Sequence, residues 1–218
     1  LIYFARPDSY IAGRSVYETR KRIGAELAKE APCVGADCVI PVPDSGRAAA
    51  VGFAQQSGIP YEEGMTRNQY VGRTFIQPTD ELRHLGVRMK HNANWGFLKG
   101  KKIVLVDDSI VRGTTSKKIV AMLRDAGAKE IHMRISSPPT TNPCHLGINT
   151  PTQDELISHR MRPNEIRKYI GADSLAYISI DALYRAVNGA EGRNGEHRKF
   201  CDACFTGEYP VALTDLKR

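Results

Sequence analysis

Short apolar runs alternate with longer amphipathic stretches along most of the chain. The apolar runs predict strands at residues 1–4, 38–43, near Tyr61, 103–106, 131–135 and 175–178. The amphipathic stretches predict helices at residues 15–30, 46–56, 115–126 and 181–187. Because the two kinds of element alternate, we expect an α/β fold with a parallel sheet flanked by helices.

Residue types at the expected helix ends support these boundaries. Ser15 and Glu18 have the spacing of a capping box at the start of the first helix. Gly58 follows the second helix and Gly127 the third, as is typical of helix C-termini. The residues that can cap the start of the third helix are Thr114, Thr115 and Ser116.

Two stretches lack a regular hydrophobic period. Residues 67–100 mix polar and apolar side chains without a helix or strand pattern, so we expect a long loop there. Residues 188–199 carry glycines and many charges, which is typical of a linker. Between these stretches, Thr152 and Glu155 offer a second capping box. We predict one domain over residues 1–188, followed by a linker and a cysteine-bearing tail over residues 189–218.

Composition narrows the classes of function. The chain has 218 residues, 41% of them hydrophobic, which suffices for the core of one domain with an appendage. No apolar run reaches the roughly 18 residues of a membrane span, so we expect no membrane partner. The net charge is +7, but the basic residues are scattered and not interleaved with aromatics, which argues against nucleic acid. A small, strongly anionic substrate accounts for the excess. Since the first residue is Leu1, we expect the natural protein to continue upstream.

The segment 104–116 is the strongest chemical signal. An apolar strand ends in two adjacent carboxylates, Asp107 and Asp108, and a Gly-Thr-Thr turn then leads into a helix. A helix start binds phosphate through its unpaired N–H groups and the helix dipole. Carboxylates one loop earlier can meet sugar hydroxyls or a hard cation. The bland interpretation is a strand–helix turn whose aspartates are only solvated, but the combination favours a phosphorylated ribose.

Two further segments fit the same ligand. Residues 41–46 form a predicted strand-to-helix turn, which places Ser45 and Gly46 at a second helix start; alone, such a turn is usually structural. Residues 67–78 mix apolar and charged side chains, as a closing lid would and an exposed hairpin need not. In a lid, Arg67 and Arg73 would contact the leaving group, and the apolar residues, Tyr70 among them, would pack against the domain when the lid closes. The cations that follow, which could bind diphosphate or be solvated, are Arg83, Arg88 and Lys90.

The chain resembles a known family in these segments. Residues 104–116 closely resemble the motif with which type I phosphoribosyltransferases bind PRPP, a ribose 5-phosphate carrying pyrophosphate at C1. Together with residues 3–9, 70–76 and 204–207, they resemble the glutamine PRPP amidotransferases over almost the whole chain. The resemblance implies the type I phosphoribosyltransferase fold with a hood, a flexible loop and a cysteine-bearing tail.

The resemblance also implies roles for individual residues. The catalytic residues would be Tyr70, Arg73, Asp107 and Asp108. PRPP would be bound by Asp44, Ser45, Gly46, Arg67, Lys90, Asp107, Asp108, Ser109, Arg112, Gly113, Thr114, Thr115 and Ser116. The ligands of Mg²⁺ would be Ser45, Asp107 and Asp108.

The five cysteines carry a second signal. Cys201 and Cys204 have C-x-x-C spacing, which by itself fits zinc, redox chemistry, an iron–sulfur cluster or no function. No strand precedes this pair and no helix clearly follows it, so a redox motif is disfavoured. The resemblance implies a structural [4Fe–4S] cluster bound by Cys144, Cys201 and Cys204, with a fourth cysteine just upstream of Leu1. Two cysteines, Cys33 and Cys38, are interpreted as small apolar residues, and no histidine is assigned to a metal.

The resemblance implies a reaction and its partners. PRPP, glutamine and water would give 5-phosphoribosylamine, glutamate and pyrophosphate, the first committed step of de novo purine synthesis. Ammonia would come from an N-terminal glutaminase domain that this chain lacks. We further expect purine nucleotide inhibitors, a homotetramer and a cytoplasmic location. Three alternatives remain: a PRPP-binding regulator, another type I phosphoribosyltransferase, and a zinc-stapled structural fragment.

Overall fold

The structure is a computed structural model that describes residues 1–68, 91–189, 192–193 and 200–213. The strands of this part of the chain are β1 (Tyr10–Ile11), β2 (Arg14–Ser15), β3 (Cys38–Pro41), β4 (Met65–Arg67), β5 (His91–Ala93), β6 (Lys102–Asp107), β7 (Glu130–Ile135) and β8 (Ser174–Tyr177). The helices are α1 (Val16–Glu30), α2 (Arg47–Ser57), α3 (Trp95–Leu98), α4 (Thr114–Asp125), α5 (Ile157–Arg160), α6 (Pro163–Ile170), α7 (Ile180–Asn188) and α8 (Ala203–Thr206), with a 3₁₀ turn at Gln153–Glu155.

A parallel sheet of four strands in the order β3-β6-β7-β8 forms the centre of the fold. Successive side chains of β6 point to opposite faces, and both faces are buried. Val104 and Val106 pack with α1, α2 and α7, whereas Ile103 and Leu105 pack with α4 and α6. The predicted α/β fold with helices on both faces of a parallel sheet is therefore confirmed.

Helices α1 and α2 cross at unusually close range because each contributes a glycine. A Cβ built on Gly24 would lie 1.9 Å from the Ala49 carbonyl oxygen, and one on Gly52 would lie 1.9 Å from the Lys21 carbonyl oxygen. No side chain fits at either position. The close crossing fixes α2, and with it the turn that precedes α2, against the body of the domain.

Most predicted elements are confirmed, and the first predicted strand is wrong. Residues 1–4 form no strand, because the buried Arg20 guanidinium takes two backbone acceptors of this segment. Arg20 Nε donates to the Leu1 carbonyl oxygen (3.0 Å) and Nη2 to that of Ala5 (2.9 Å). The short strand predicted near Tyr61 is reduced to a single bridge with Val39. The Ser15 cap is present, since its Oγ accepts the Glu18 N–H at 3.3 Å.

Several short elements were not predicted. Strands β4 and β5 pair antiparallel, and β5 and α3 lie inside the predicted loop 67–100. Three or four residues are too few for a hydrophobic period, so these elements leave no pattern in the sequence. Helix α6 was also missed, although Pro163 at its first turn is a start signal. Three predicted site residues lie outside the described residues: Tyr70, Arg73 and Lys90.

Candidate functional site

Two loops meet at the carboxyl edge of the sheet, one after β3 and one after β6. The Val42 N–H donates to the Val106 carbonyl oxygen at 2.8 Å, which continues the pairing of the two strands beyond β3. Gly46 then crosses β6 so closely that a Cβ on it would lie 2.1 Å from the Val106 oxygen. The Gly46 N–H donates to the Val42 carbonyl oxygen (2.9 Å), so it is used inside the turn and is not available to bind an anion.

A direct hydrogen bond joins the two loops. Ser45 Oγ donates to Asp107 Oδ1 at 2.7 Å, and the Asp108 N–H donates to the same oxygen at 2.8 Å. Ser109 Oγ donates to Asp108 Oδ1 at 2.9 Å. Three of the predicted site residues, Ser45, Asp107 and Asp108, therefore lie together, although Ser45 and Asp107 are 62 positions apart in sequence.

The two carboxyl groups are close and withdrawn from solvent. Burial raises the pKa of Asp107, and the neighbouring charge of Asp108 raises it further. Burial also raises the pKa of Asp108, against the hydrogen bond from Ser109 and the positive charge of Arg20. Ionising both groups is unfavourable in the folded protein unless a cation or hydrogen-bond donors compensate. The pair is thus suited to receive a cation or sugar hydroxyls.

Helix α4 begins at the end of the second loop without a side-chain cap. Its N-cap residue is Gly113, with φ +77°, and among the described residues no side chain caps the first turn. The prediction that Thr114, Thr115 or Ser116 caps this helix is therefore wrong, because the helix already includes all three. Free N–H groups at the positive end of a helix form a binding site for an anion such as phosphate.

Packing around Gly113 sets the shape of the loop that leads into α4. A Cβ on Gly113 would lie 2.6 Å from Ile157 Cδ1 and 3.3 Å from Tyr169 Cε1. The Arg112 side chain is occupied by a bond to Glu155 (Nε to Oε1, 3.0 Å). Only the backbone of Arg112 is therefore available to a ligand in this arrangement. Thr114 and Thr115 are exposed, whereas Ser116 is buried.

Asp44 and Arg67 lie at the outer side of the first loop. Arg67, at the end of β4, donates to Asp44 Oδ2 at 2.6 Å. Arg47 lies nearby, with its Nε 3.8 Å from Asp44 Oδ1. The two arginines therefore place positive charge on both sides of the Asp44 carboxylate.

One residue near the site was missed in the sequence. Arg20 lies on α1, is buried, and its charge lowers the pKa of Asp108. A signal was present, since Arg20 occupies the stripe of α1 that also holds Val16, Ile23 and Leu27. A charge on an apolar stripe indicates an interior partner.

The cysteines of the tail lie at a second place, a largely apolar cavity of about 300 Å³. Three predicted ligands line it: Cys144, Cys201 and Cys204. Two of their sulfurs accept hydrogen bonds, Cys204 from the Tyr3 hydroxyl (3.3 Å) and Cys144 from the Leu146 N–H (3.4 Å). We predicted that no helix clearly follows the C-x-x-C pair; the one-turn helix α8 begins at Ala203 and includes Cys204.

The tail is fixed to the domain by backbone and side-chain bonds. The Cys204 carbonyl oxygen accepts the N–H groups of Thr141 (3.0 Å) and Asn142 (3.1 Å). Asp202 is buried and accepts the Tyr184 hydroxyl (3.0 Å) and Arg193 Nε (2.8 Å) at the same oxygen. The cavity is thus assembled from segments that are far apart in sequence.

The cavity supplies thiol donors of the kind that an iron–sulfur cluster takes. Among the described residues, no three His, Cys, Asp or Glu side chains converge closely enough to hold one ion. In a cluster each thiolate binds a different iron, so the sulfurs need only surround a common space. Three thiols around one apolar cavity meet that requirement, and they supply three of the four ligands that a [4Fe–4S] cluster takes.

Every helix of the described ranges is too short or too polar to cross a bilayer.

The chain is 57% identical over 215 residues to an amidophosphoribosyltransferase of Rhizobium etli, a match that covers 98% of the chain and 43% of that protein. It is 54% identical over 219 residues to one of Synechococcus elongatus, with 100% and 43% covered. No model of a protein family matches the chain.

A solved structure agrees with these sequence matches. The glutamine PRPP amidotransferase from B. subtilis, complexed with ADP and GMP, has a TM-score of 0.85 and 50% identity. That match covers 98% of the chain and 46% of the B. subtilis chain. The chain therefore spans less than half the length of the relatives that it matches.

Proposed function

In sequence and fold the chain belongs with a segment of the amidophosphoribosyltransferases, and on that premise we propose that it transfers a phosphoribosyl group from PRPP to ammonia. Its fold is the type I phosphoribosyltransferase fold. The products would be 5-phosphoribosylamine and pyrophosphate. This reaction is the first committed step of de novo purine synthesis. The Ser45–Asp107 hydrogen bond carries the proposal, because it joins the loop suited to pyrophosphate to the loop suited to ribose 5-phosphate.

Different residues at the sheet edge would bind different parts of PRPP. The uncapped start of α4 would take the 5′-phosphate through the N–H groups and hydroxyls of residues 112–116. Asp107 and Asp108 would accept hydrogen bonds from the ribose hydroxyls, and their charge would favour the cationic sugar of the transition state. Asp44, Ser45 and Arg67 would lie beside the pyrophosphate, with Tyr70, Arg73 and Lys90 as further contacts.

Mg²⁺ is the metal that fits this edge. It is usually bound by one or two carboxylates together with substrate phosphates, and Ser45, Asp107 and Asp108 supply oxygen atoms of that kind. When bound, Mg²⁺ would offset the charge of the leaving pyrophosphate. The residues themselves hold and orient the sugar, and no protein nucleophile is needed because ammonia is already nucleophilic.

The cysteine cavity would hold a structural [4Fe–4S] cluster. Cys144, Cys201 and Cys204 would be three of its ligands, and Leu1 lines the same cavity, so a ligand just upstream of Leu1 would lie within reach. The relatives are more than twice as long as the segment they share with the chain. We assign the supply of ammonia from glutamine to a further, glutaminase domain, and purine nucleotides to the regulation of a homotetramer.

Pyrophosphate release tests the transferase proposal. The chain is incubated with PRPP and Mg²⁺, with and without ammonium at mildly alkaline pH, and pyrophosphate is measured. Release that depends on ammonium is expected. PRPP binding without release would favour a regulator or a site that needs the rest of the protein, and absence of both would overturn the assignment of the phosphate loops.

A further inference from the structure

The hydrogen bond between Tyr3 and Cys204 connects two segments that are 201 positions apart. The Tyr3 hydroxyl lies 3.3 Å from Cys204 Sγ and donates to it. Both residues line the cysteine cavity, so the bond lies beside the space that a cluster would fill. Neither the predicted cluster ligands nor the transferase reaction gives Tyr3 a role.

The surroundings strengthen this bond. Much of the cavity wall is apolar, with Ile2, Leu183 and Phe205 among its lining residues. A hydrogen bond is electrostatically stronger in such a medium than in water.

A sulfur that binds iron is a thiolate, which can accept this bond but cannot donate one. A donor hydrogen withdraws negative charge from the thiolate. The reduced cluster carries one more electron than the oxidised cluster, so the same hydrogen bond stabilises the reduced state more. The Cys144 sulfur receives a comparable bond, but from the backbone N–H of Leu146, which side-chain substitution cannot remove.

We infer that Tyr3 is a positioning residue of the proposed cluster, whose hydroxyl orients the Cys204 thiolate and raises the reduction potential of the cluster. This inference rests on the proposed cofactor. The redox couple is the oxidised and the reduced cluster. In the measurement an electrode supplies the one electron that separates them, and no bond is broken.

The chain offers a matched control for the loss of a tyrosine hydroxyl. Tyr184 lines the same cavity, but its hydroxyl donates to Asp202 Oδ2 at 3.0 Å and not to a sulfur. Tyr3→Phe and Tyr184→Phe are made in the full-length protein and purified without air. Iron and sulfide content, reduction potential and the iron–sulfur stretching bands in the resonance Raman spectrum are measured.

For Tyr3→Phe we expect the ratio of reduced to oxidised cluster at a fixed potential to fall by up to about tenfold, equivalent to about 59 mV for one electron. The iron–cysteine stretching bands should move to higher frequency, and Tyr184→Phe should leave both readings unchanged. A Tyr3→Phe protein with the wild-type potential, or equal shifts in both variants, would overturn the inference.

Two further measurements keep the outcome decisive. If Tyr3→Phe does not assemble a cluster, 3-fluorotyrosine is placed at position 3 instead. Its more acidic hydroxyl is a stronger donor, so the reduction potential should rise above that of the wild type. An unchanged reduction potential would overturn the inference. Wild-type protein without iron and sulfide would overturn the proposed cofactor itself, together with the inference, while ammonium-dependent pyrophosphate release would still report on the transferase.

Discussion

The sheet edge and the cysteine cavity are built in different ways. At the sheet edge, the loops after two neighbouring strands bring Ser45 and Asp107 into contact, and backbone geometry at Gly46 and Gly113 sets the approach. At the cavity, side-chain and backbone hydrogen bonds join the N-terminal segment, the loop that holds Cys144 and the tail.

The difference indicates which kind of change each region tolerates. Strand pairing already holds the sheet edge together, so a substitution there changes chemistry more than stability. The cavity has no sheet to hold it, so the loss of a buried charge that two side chains share should lower the stability of the folded protein. Four substitutions test this contrast, in order of decreasing expected effect.

Asp108→Asn should reduce turnover by about 10²–10³-fold. It removes a negative charge that stabilises the cationic transition state in the wild-type protein. Folding should be unchanged, since an amide can still accept the Ser109 hydroxyl bond at Oδ1. Ammonium-dependent pyrophosphate release and thermal unfolding measure the two effects. A folded Asp108→Asn protein with wild-type turnover would contradict the role of this carboxylate.

Gly46→Ala should weaken PRPP binding by up to about a hundredfold, because the new Cβ would meet the Val106 carbonyl 2.1 Å away and displace Ser45 from Asp107. Gly96→Ala is the matched control, since the nearest atom to its Cβ is 4.0 Å away. PRPP affinity measured by calorimetry compares the two. Equal affinities would show that the close approach of the loops does not position the substrate.

Asp202→Asn should lower the free energy of unfolding by about 1–3 kcal/mol, because the buried carboxylate that Tyr184 and Arg193 share loses its charge. Asp8→Asn is the control: Asp8 also pairs with an arginine, but both side chains are exposed (66% and 81%), so no measurable change is expected. Chemical denaturation measures both. Equal effects would remove the contrast between a buried and an exposed pair.

In the ligand-free protein, Asp107→Asn should have an effect of the opposite sign, a gain in stability that appears as pH rises. The unfolded chain ionises Asp107 near the ordinary pKa of 3.8, and the folded chain does so at higher pH. Between these values the folded state binds more protons, so wild-type stability falls as pH rises, and asparagine removes that loss.

Thermal unfolding across this pH range, without Mg²⁺ or PRPP, measures the gain from Asp107→Asn. Adding Mg²⁺ and PRPP should reverse the order of the two proteins, because the ligands stabilise the ionised wild-type pair. A difference that does not vary with pH would contradict the assignment of the raised pKa.

The sequence predicted the sheet edge far better than the cavity. The strand before Asp107 and the helix after Gly113 have clear periods, and residues on neighbouring parallel strands must meet at one edge. The Gly113 cap was missed because three hydroxyl residues follow it and each is a common cap. The Tyr3–Cys204 bond could not be predicted, because no local pattern relates positions 201 residues apart. The short strand β5 was missed because three residues show no hydrophobic period, whereas Arg20 could have been found from its place on the apolar stripe of α1.

The pairing of β4 with β5 has a consequence for how the chain can change in evolution. Arg67 lies opposite His91, so the ends of the intervening stretch are held together whatever its length. A change in the number of residues between these two positions should therefore leave the pairing of β4 with β5 in place. Arg67 would then keep its contact with Asp44 at the edge of the sheet.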